Sequence, residues 1–278
     1  MRLGLTLAPH STSALDHAID LAVAAEQAGF ETIYVPERHF DAAAGFANPY
    51  AVAAAISSRL QHAWLGVRPT LGLQHPLRLV EQSNLLDVLT HGRSIVVLGE
   101  RSDDLQYQAF GLPTPRDGLW EDQLDKIVRA GSWQYREDGP PLEFTSGPYS
   151  ARMAGRIMPV ARRRPHPLMA RETDSEVIVV DVARRGWPVQ LRASELEQAR
   201  RLTEVYRTEL LSADHSPATV DECLRWLVVV VEVTPDSRES ERARWRSQLT
   251  ECGVAEIRLD PAPGASIEQL LHDLSGVA

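Results

Sequence analysis

The chain has 278 residues, of which 44% are hydrophobic and 24% are charged, and its formal net charge is −9. This composition is typical of a folded globular protein and excludes a fibrous or disordered chain. The acidic balance also argues against nucleic acid as a partner, because binding a phosphate backbone requires a cationic surface.

Three local features narrow the class of protein further. The N-terminal sequence MRLGLTLAPH lacks the basic and then apolar run of a secretory signal, and the apolar stretch 227–233 is too short to span a bilayer. Cys223 and Cys252 lie far apart without metal-ligand spacing, so we expect both to be core thiols. The basic run 162–164 has no interleaved aromatic residues and is interpreted as a solvated loop. We therefore expect a cytoplasmic protein that binds neither a metal nor a membrane.

Short runs rich in β-branched and aliphatic residues alternate along the chain with longer segments whose apolar residues recur at helical spacing. This alternation is typical of repeated βα units. The predicted strands are residues 3–7, 32–35, 64–69, 94–98, 167–170, 188–191, 226–233 and 255–259. A closed barrel needs eight strands, so we predict one (β/α)8 TIM barrel that forms a single domain over residues 1–278.

Helices are predicted between these strands, over residues 13–28, 49–60, 77–89, 120–133, 194–211 and 238–252. Gly29 is expected to end the first helix in the left-handed conformation, which costs glycine little. The second helix is rich in alanine, whose small side chain allows another helix to approach closely. That approach is either a contact between subunits or packing within the barrel.

Residues 134–164 interrupt the alternation. They contain Gly139-Pro140-Pro141 and Gly147-Pro148, and their few apolar residues show no helical period. We interpret this segment as an insertion after the fourth βα unit. A long connection on a barrel more often forms a lid or a pocket wall than structural filler, because functional residues gather in these loops.

Several ordered motifs in the first part of the chain resemble one known family. They are GFETIYVPERHF at residues 29–40, NPYA at 48–51, HPLR at 75–78 followed by Glu81, NLLD at 84–87 and GR at 92–93. In this order they resemble the bacterial luciferase-like flavin monooxygenases over roughly residues 1–111.

The resemblance implies a barrel that binds reduced flavin mononucleotide (FMN) at the C-terminal ends of its strands. It also implies that a separate flavin reductase supplies the reduced FMN, and that O2 is used to oxygenate a small organic substrate. A homodimer or a heterodimer with a paralogue is expected, with the helices from Pro49 and Leu77 at the contact and Glu81 buried there. Reduction with the deazaflavin F420 on the same fold is a less favoured alternative.

His39 stands at the end of the second predicted strand, where the resemblance places active-site residues. Histidine is the residue type most often used for proton transfer in enzymes, so His39 is a candidate for proton exchange with flavin or substrate. The alternative is a supporting histidine held by Glu37. Arg38 occupies the position of the family's catalytic base. Because a guanidinium stays protonated, Arg38 is instead a candidate for binding an anionic group.

The predicted flavin site draws on the third and fourth strands. We predict a cis Arg68–Pro69 bond with Pro69 beneath the flavin ring, against the alternative of an ordinary strand end. Glu100 stands where the family has its flavin-phosphate arginine, and a carboxylate repels a phosphate. Arg101 is adjacent but points elsewhere on a regular strand. Gly99 replaces a cysteine of the family.

The fifth strand is followed by the second half of the predicted phosphate site. Glu172 and Thr173 resemble the Glu-Ser of the family, and the helix from Ser175 is expected to direct its first N–H groups at an anion. Arg171 is a candidate for the missing positive charge. The alternative is that Thr173 and Ser175 only cap the helix.

Two functional hypotheses follow from these residues. The first is a monooxygenase that depends on reduced FMN. The second is a non-catalytic luciferase-like subunit that pairs with an active paralogue, which explains why Arg38, Gly99 and Glu100 all depart from the family pattern.

Overall fold

The computed structural model describes residues 1–7, 14–40, 46–99, 104–113, 119–133, 140–164, 166–234, 239–262 and 267. The strands of this part are β1 (Arg2–Thr6), β2 (Thr32–Pro36), β3 (Trp64–Arg68), β4 (Ser94–Leu98), β5 (Leu142–Ser146), β6 (Tyr149–Met153), β7 (Leu168–Thr173), β8 (Val189–Arg192), β9 (Val228–Val233) and β10 (Glu256–Pro261). The helices are α1 (Ala14–Gln27), α2 (Pro49–Ser57), α3 (Pro76–Leu89), α4 (Asp104–Ala109), α5 (Leu119–Trp133), α6 (Glu176–Arg184), α7 (Leu196–Ser212), α8 (Pro217–Arg225) and α9 (Glu239–Glu251).

Eight of these strands close into a parallel barrel in the order β1-β10-β9-β8-β7-β4-β3-β2. Helices alternate with the barrel strands along the chain, so the fold is a (β/α)8 TIM barrel and the predicted fold class is confirmed. Each of the eight predicted strands overlaps one barrel strand. The fifth predicted strand ended too early: β7 continues to Thr173, so Glu172 and Thr173 lie inside the strand rather than after it.

Side chains along each barrel strand alternate between the helix layer and the barrel interior. Outward-facing residues such as Ile33, Val67 and Val229 are buried in the main hydrophobic core between strands and helices. A second apolar cluster fills the N-terminal part of the barrel interior. It consists of Tyr34, Ile95, Val97, Leu168, Ala170 and Trp226, with Trp64 packed against it. The rings of Trp64 and Trp226 meet edge to face with centroids 4.5 Å apart, and they close this end of the barrel.

The predicted insertion contains an antiparallel hairpin, formed by β5 and β6. Leu142 of β5 is fully buried and belongs to the main hydrophobic core. The Tyr149 hydroxyl of β6 donates to the carbonyl of Gly72 at 2.8 Å, in the loop that follows β3 at the C-terminal mouth of the barrel. Residues 140–164 are therefore folded onto the barrel, whereas 134–139 lie outside the described residues.

After the hairpin the chain returns along α3 to the N-terminal end of the barrel. The buried carboxylate of Asp87 accepts hydrogen bonds from the backbone N–H groups of Arg162 at 2.6 Å and Arg163 at 3.1 Å. Asn84 donates from its side-chain amide to the carbonyl of Pro159 at 2.8 Å. The arginine run is thus fixed through its backbone. The side chain of Arg162 is exposed, as expected for a solvated loop, whereas that of Arg163 is half-buried, lies 5.8 Å from the ring of Trp64 and pairs with Glu222.

The predicted cis bond between Arg68 and Pro69 is wrong. That bond is trans, and among the described residues the cis bond is Met158–Pro159. The isomers of an X-Pro bond differ by only about 0.5–1 kcal/mol, so neighbouring contacts decide between them. Here the N–H of Glu37 donates to the Arg68 carbonyl at 2.9 Å. On the other side of the proline, the N–H of Thr70 donates to Glu37 Oε2 at 2.7 Å.

The alanine-rich helix α2 packs against α3 within the chain, where the hydroxyls of Tyr50 and Ser83 lie 2.8 Å apart. This helix ends at Ser57, three residues earlier than predicted. Glu81 was expected to be buried at a subunit contact, but in this chain its side chain is exposed and lies 3.6 Å from Arg78. Packing within the barrel is therefore observed, and a contact between subunits stays a prediction.

Both cysteines are free. Cys223 is buried as predicted, but Cys252 is only half-buried, so the expectation of two core thiols is wrong for the second. Within the ranges that the structure describes, no helix is long and apolar enough to cross a membrane.

Candidate active site at the barrel mouth

The C-terminal ends of the strands form the mouth of the barrel, and a histidine–glutamate pair follows β2 there. His39 Nε2 lies 2.9 Å from Glu37 Oε1, and Glu37 Oε2 accepts the N–H of Thr70 at 2.7 Å. The backbone N–H of His39 also reaches Gln106 Oε1 at 3.4 Å. Burial raises the pKa of Glu37, although the hydrogen bonds from His39 and Thr70 oppose this. The imidazole is therefore held in one orientation by the carboxylate.

Two exposed aromatic rings lie beside this pair. The ring of Phe110 meets His39 edge to face at 4.9 Å between centroids, and Phe40 lies 5.8 Å from Phe110. Phe40 has a φ of 62°, in the left-handed region that a bulky side chain rarely adopts. Such strain is often found where a chain holds functional side chains in place.

Deeper in the mouth, five charged side chains from four strands form what we call the ionic cluster: Arg68, Glu172, Arg192, Arg258 and Asp260. Glu172 Oε1 accepts from Arg68 Nη2 at 2.6 Å and from Arg192 Nη2 at 3.0 Å. Glu172 Oε2 accepts from Arg258 Nη2 at 2.7 Å. Asp260 Oδ2 accepts from Arg192 Nη2 at 2.7 Å, and Oδ1 accepts from Arg258 Nε at 2.9 Å. Three positive charges thus share two carboxylates.

A column of polar side chains continues from the ionic cluster down the barrel axis. The fully buried Arg258 donates from Nη1 to Gln190 Oε1, and its guanidinium lies 4.9 Å above the ring of Tyr34. Gln190 Nε2 donates to the Tyr34 hydroxyl at 3.2 Å, which in turn donates to Glu256 Oε1 at 2.7 Å. This column runs through the barrel interior beside the apolar cluster of Ile95, Val97 and Leu168, where a TIM barrel usually has only branched apolar side chains.

Two glycines make room for the column. A Cβ added to Gly66 would lie 2.2 Å from the Tyr34 ring, and one added to Gly4 would lie 2.5 Å from Glu256 Oε1. Both distances are far below van der Waals contact. The buried tyrosine and glutamate are therefore compatible only with glycine at these two strand positions.

The environment of each buried carboxyl sets its pKa. Burial favours the neutral form of Glu172, but the three arginines outweigh burial and lower its pKa to about 2. The same arginines, acting against burial, hold the pKa of Asp260 well below its usual range. Glu256 behaves in the opposite way, because burial raises its pKa despite the nearby Arg2 and the hydrogen bond from Tyr34.

The predicted phosphate residues of β7 divide between the two faces of the strand. Glu172 faces the barrel interior, whereas the side chain of Arg171 is buried outside the barrel and donates to the Leu98 carbonyl at 3.1 Å. Thr173 Oγ1 accepts the N–H of Ser175 at 3.1 Å. Ser175 is the N-cap residue of α6, but its side chain makes no capping hydrogen bond.

The remaining predicted residues lie near the mouth or outside the described part. Gly99 faces the interior, where an added Cβ would lie 4.0 Å from Glu172 Cβ. The buried Pro69 directly follows β3. The N–H of Arg38 donates to the Phe46 carbonyl at 3.1 Å. Glu100 and Arg101 lie outside the described residues.

Sequence reasoning missed most of the ionic cluster. It named Glu172 as a phosphate residue but named neither Arg192 nor Arg258 and Asp260, and it noted Arg68 only as the residue before a proline. A signal was present, because VQLR and EIRLDP place polar or charged residues at alternate positions of otherwise apolar strands. Charged residues at this spacing share the face that points into the barrel.

The closed barrel with charged side chains at its mouth belongs to the class of TIM-barrel proteins, whose active sites lie at the C-terminal ends of the strands. The sequence pattern of the luciferase-like monooxygenases matches residues 1–269, so the chain belongs to this family. The predicted family is confirmed, and the match extends far beyond the motifs of the first part of the chain.

Known relatives include both named and uncharacterised proteins. The chain is 24% identical over 225 residues to an alkanal monooxygenase alpha chain of a Kryptophanaron alfredi symbiont, covering 76% of this chain and 58% of that protein. It is 27% identical to the uncharacterised protein y4wF of Sinorhizobium fredii, covering 76% of this chain and 60% of that protein. The alkanal monooxygenase beta chain of Photorhabdus laumondii is 22% identical, covering 90% of this chain and 73% of that protein. The chain therefore spans about 60% of the length of the first two relatives.

Solved structures share the fold at low sequence identity. The monooxygenase RslO1 from Streptomyces bottropensis has a TM-score of 0.73 at 18% identity, over 99% of this chain and 96% of that one. The oxygenating constituent of 3,6-diketocamphane monooxygenase from Pseudomonas putida, in complex with FMN, has a TM-score of 0.68 at 17% identity, over 88% and 70%. An F420-dependent secondary alcohol dehydrogenase has a TM-score of 0.76 at 12% identity, over 100% and 98%.

Proposed function

We propose that the protein is a flavin-dependent monooxygenase that takes reduced FMN from a separate reductase and uses O2 to oxygenate a small organic substrate. The observation that carries this proposal is the His39–Glu37 pair at the C-terminal end of β2, in a chain that matches the luciferase-like monooxygenases over residues 1–269. Enzymes on this fold have their active sites at the C-terminal ends of the strands, and His39 places a group that can transfer protons there.

The described residues fit a flavin. Gly99 leaves the wall of the mouth without a side chain beside Glu172. Pro69 is buried and follows the inward-facing Arg68, so its contact with the flavin ring stays a prediction. The Ser175 hydroxyl and the first N–H groups of α6 suit a phosphate, and Thr173 fixes the turn that presents them. A reduced flavin bound here supplies the electrons that activate O2.

The histidine–glutamate pair then performs the proton transfer. Glu37 occupies Nε2 of His39, so Nδ1 is the atom that exchanges a proton with the reacting group. Phe40 and Phe110 provide apolar surface beside the imidazole, which lowers the access of water once a ligand is bound. Arg38 follows Glu37 directly and is proposed to bind an anionic group.

A second candidate function is a non-catalytic subunit that pairs with an active paralogue. Two observations favour it. Arg38 replaces the basic histidine expected at its position, and the similarity to an alkanal monooxygenase beta chain covers 90% of this chain. In either case we propose a cytoplasmic dimer, homodimeric for the enzyme and heterodimeric for the subunit.

Anaerobic titration with reduced FMN tests the proposal, with reduced F420 titrated in parallel. We expect reduced FMN to bind with 1:1 stoichiometry, and we expect the absorbance change after mixing with O2 to follow a different time course from that of free reduced FMN. His39→Ala should keep flavin binding and lose substrate oxygenation by about 10²–10⁴-fold, the range for a general acid or base. His62→Ala, an exposed histidine on the surface, is the matched control.

Each outcome separates the candidates. If folded protein, checked by circular dichroism, binds neither cofactor, the stand-alone enzyme is wrong and the non-catalytic subunit is favoured. If only reduced F420 binds, the deazaflavin alternative replaces the proposal. If His39→Ala and His62→Ala turn over equally, the assigned role of His39 is wrong.

A further inference from the structure

The three arginines of the ionic cluster are not equally engaged. Arg258 is fully buried, and its Nε, Nη1 and Nη2 all donate to partners in the barrel. The side chains of Arg68 and Arg192 are instead 22% and 23% exposed at the mouth. Arg258 is therefore a structural residue, and the other two can meet a ligand.

Arg68 and Arg192 also retain unused hydrogen-bond donors. Arg68 donates from Nη2 to Glu172, while its Nη1 lies 3.8 Å from Asp260 Oδ2, too far for a hydrogen bond. Arg192 donates from Nε and Nη2 only. Within the described residues, Nε and Nη1 of Arg68 and Nη1 of Arg192 thus have no hydrogen-bond partner. A guanidinium with free N–H groups at a partly open site is suited to an oxygen anion.

The charge of the ionic cluster points to the same ligand. Three arginines face two carboxylates, which leaves one positive charge uncompensated. Burial lowers the pKa of Arg68, and Glu172 and Asp260 only partly oppose it. Glu232, the next inward-facing carboxylate on β9, is exposed and forms no ion pair with the cluster in the described part of the chain. A bound anion would supply the missing negative charge.

We propose that Arg68 and Arg192 bind a carboxylate group of the substrate, which makes the substrate a small organic acid. A planar carboxylate matches the fork of N–H groups on a guanidinium, whereas a neutral amide lacks the charge. The exposed rings of Phe40 and Phe110 at the same mouth suit an apolar body attached to the acid. The identification of the acid as a substrate rests on the proposed monooxygenase function.

Reduced FMN is a second anionic ligand to consider for these arginines, because its flavin ring carries a negative charge when ionised. The test therefore measures acids and flavin separately. Calorimetric titrations of the flavin-free full chain use benzoate and hexanoate as probes, each compared with the neutral benzamide or hexanamide of the same shape. Anaerobic titrations of the same proteins with reduced FMN form the second arm.

In the wild-type chain each acid should bind at least about tenfold more tightly than its amide. Arg192→Gln should weaken the acids by about ten- to a hundredfold, the range for a hydrogen bond to a charged group, and leave the amides unchanged. Arg68→Lys keeps the charge but loses the fork, so it should weaken the acids by a smaller factor. Arg184→Gln on the exposed face of α6 should change nothing, and Glu232→Gln should leave binding equal or tighter.

Three results would overturn the proposal. The first is that the acids bind no more tightly than the amides. The second is that Arg192→Gln and Arg184→Gln bind the acids equally well. The third is that Arg192→Gln weakens the binding of reduced FMN but not of the acids, because the arginines would then belong to the flavin site. If Arg192→Gln does not fold by circular dichroism, Arg68→Lys decides, because it preserves the charge balance. Acid binding that depends on Arg192 in a chain that binds no flavin would support the carboxylate site and refute the monooxygenase.

Discussion

Replacing Glu172 by glutamine tests whether the ionic cluster holds the barrel mouth together. Glu172 accepts hydrogen bonds from all three arginines, at 2.6 Å from Arg68, 3.0 Å from Arg192 and 2.7 Å from Arg258. Glutamine removes the negative charge and places an NH2 group opposite an arginine. Among the ion pairs of the described residues, the fully buried Arg258 then keeps the one with Asp260.

Removing one partner from a buried ion pair costs about 3–5 kcal/mol, because the other charge stays buried without compensation. We expect Glu172→Gln to lower the free energy of unfolding by that amount. For a chain of this size each kcal/mol lowers the Tm by about 2–4 °C, so the expected loss is roughly 6–20 °C.

Urea unfolding followed by circular dichroism, together with thermal unfolding, measures this effect. Glu222→Gln is the matched control, since Glu222 pairs with Arg163 at the surface and such pairs contribute about 0–1 kcal/mol. A Glu172→Gln variant that unfolds within about 1 kcal/mol of Glu222→Gln would refute the assigned role of the ionic cluster.

Three further predictions concern the same framework. Because the pKa of Glu172 is about 2, below the usual 4.5, its contribution of about 3 kcal/mol is present above pH 4.5 and is lost as the pH falls towards 2. Urea midpoints of the wild type should therefore fall as the pH is lowered from about 4.5 towards 2, and a flat profile over this range would contradict the assignment. Gly66→Ala should destabilise the barrel by at least about 1–3 kcal/mol, because its Cβ meets the Tyr34 ring at 2.2 Å. Gly99→Ala, with its nearest neighbour at 4.0 Å, should change the urea midpoint little, and equal losses would be inconsistent with the packing. Tyr149→Phe removes the hydrogen bond that fixes the β5–β6 hairpin to the loop after β3. It should lower the free energy of unfolding by about 0.5–1.5 kcal/mol and increase proteolysis of the hairpin. Unchanged proteolysis would argue against this anchor.

The alternation of strand and helix was readable from the sequence because it depends on local patterns. The branched apolar run of β9 and the helical period of α1 each follow from a few neighbouring residues. The boundary of β7 was less accurate, since Arg171 and Glu172 are charged and were taken to end the strand. In the structure, β8 on one side and β4 on the other bury that part of β7.

The hairpin was missed for a different reason. Its first strand, Leu142–Ser146, alternates buried and exposed residues, which is a strand pattern. The surrounding glycines and prolines led us to interpret the segment as irregular. One turn, around Gly147 and Pro148, in fact connects two strands.

The candidate site was predictable only where a motif marked it. His39 and Glu37 lie two residues apart, so the sequence motif contains their contact. The ionic cluster joins Arg68 to Asp260 and Glu172 to Arg258, and only closure of the barrel brings these residues together. The alternation within EIRLDP shows that its charged side chains share one face, but it does not show which residues of the other strands they meet.

The ionic cluster also links closure of the barrel to its last strand. Arg68 belongs to the third barrel strand and Arg258 to the last, so the cluster is complete only after β10 inserts between β1 and β9. In a barrel that lacks β10, Glu172 would face Arg68 and Arg192 in a groove open to water, where ion pairs are weak. Insertion of β10 supplies the remaining charges and excludes water in the same step. We therefore expect a chain cut before residue 256 to lose both the closure of the barrel and the ionic cluster.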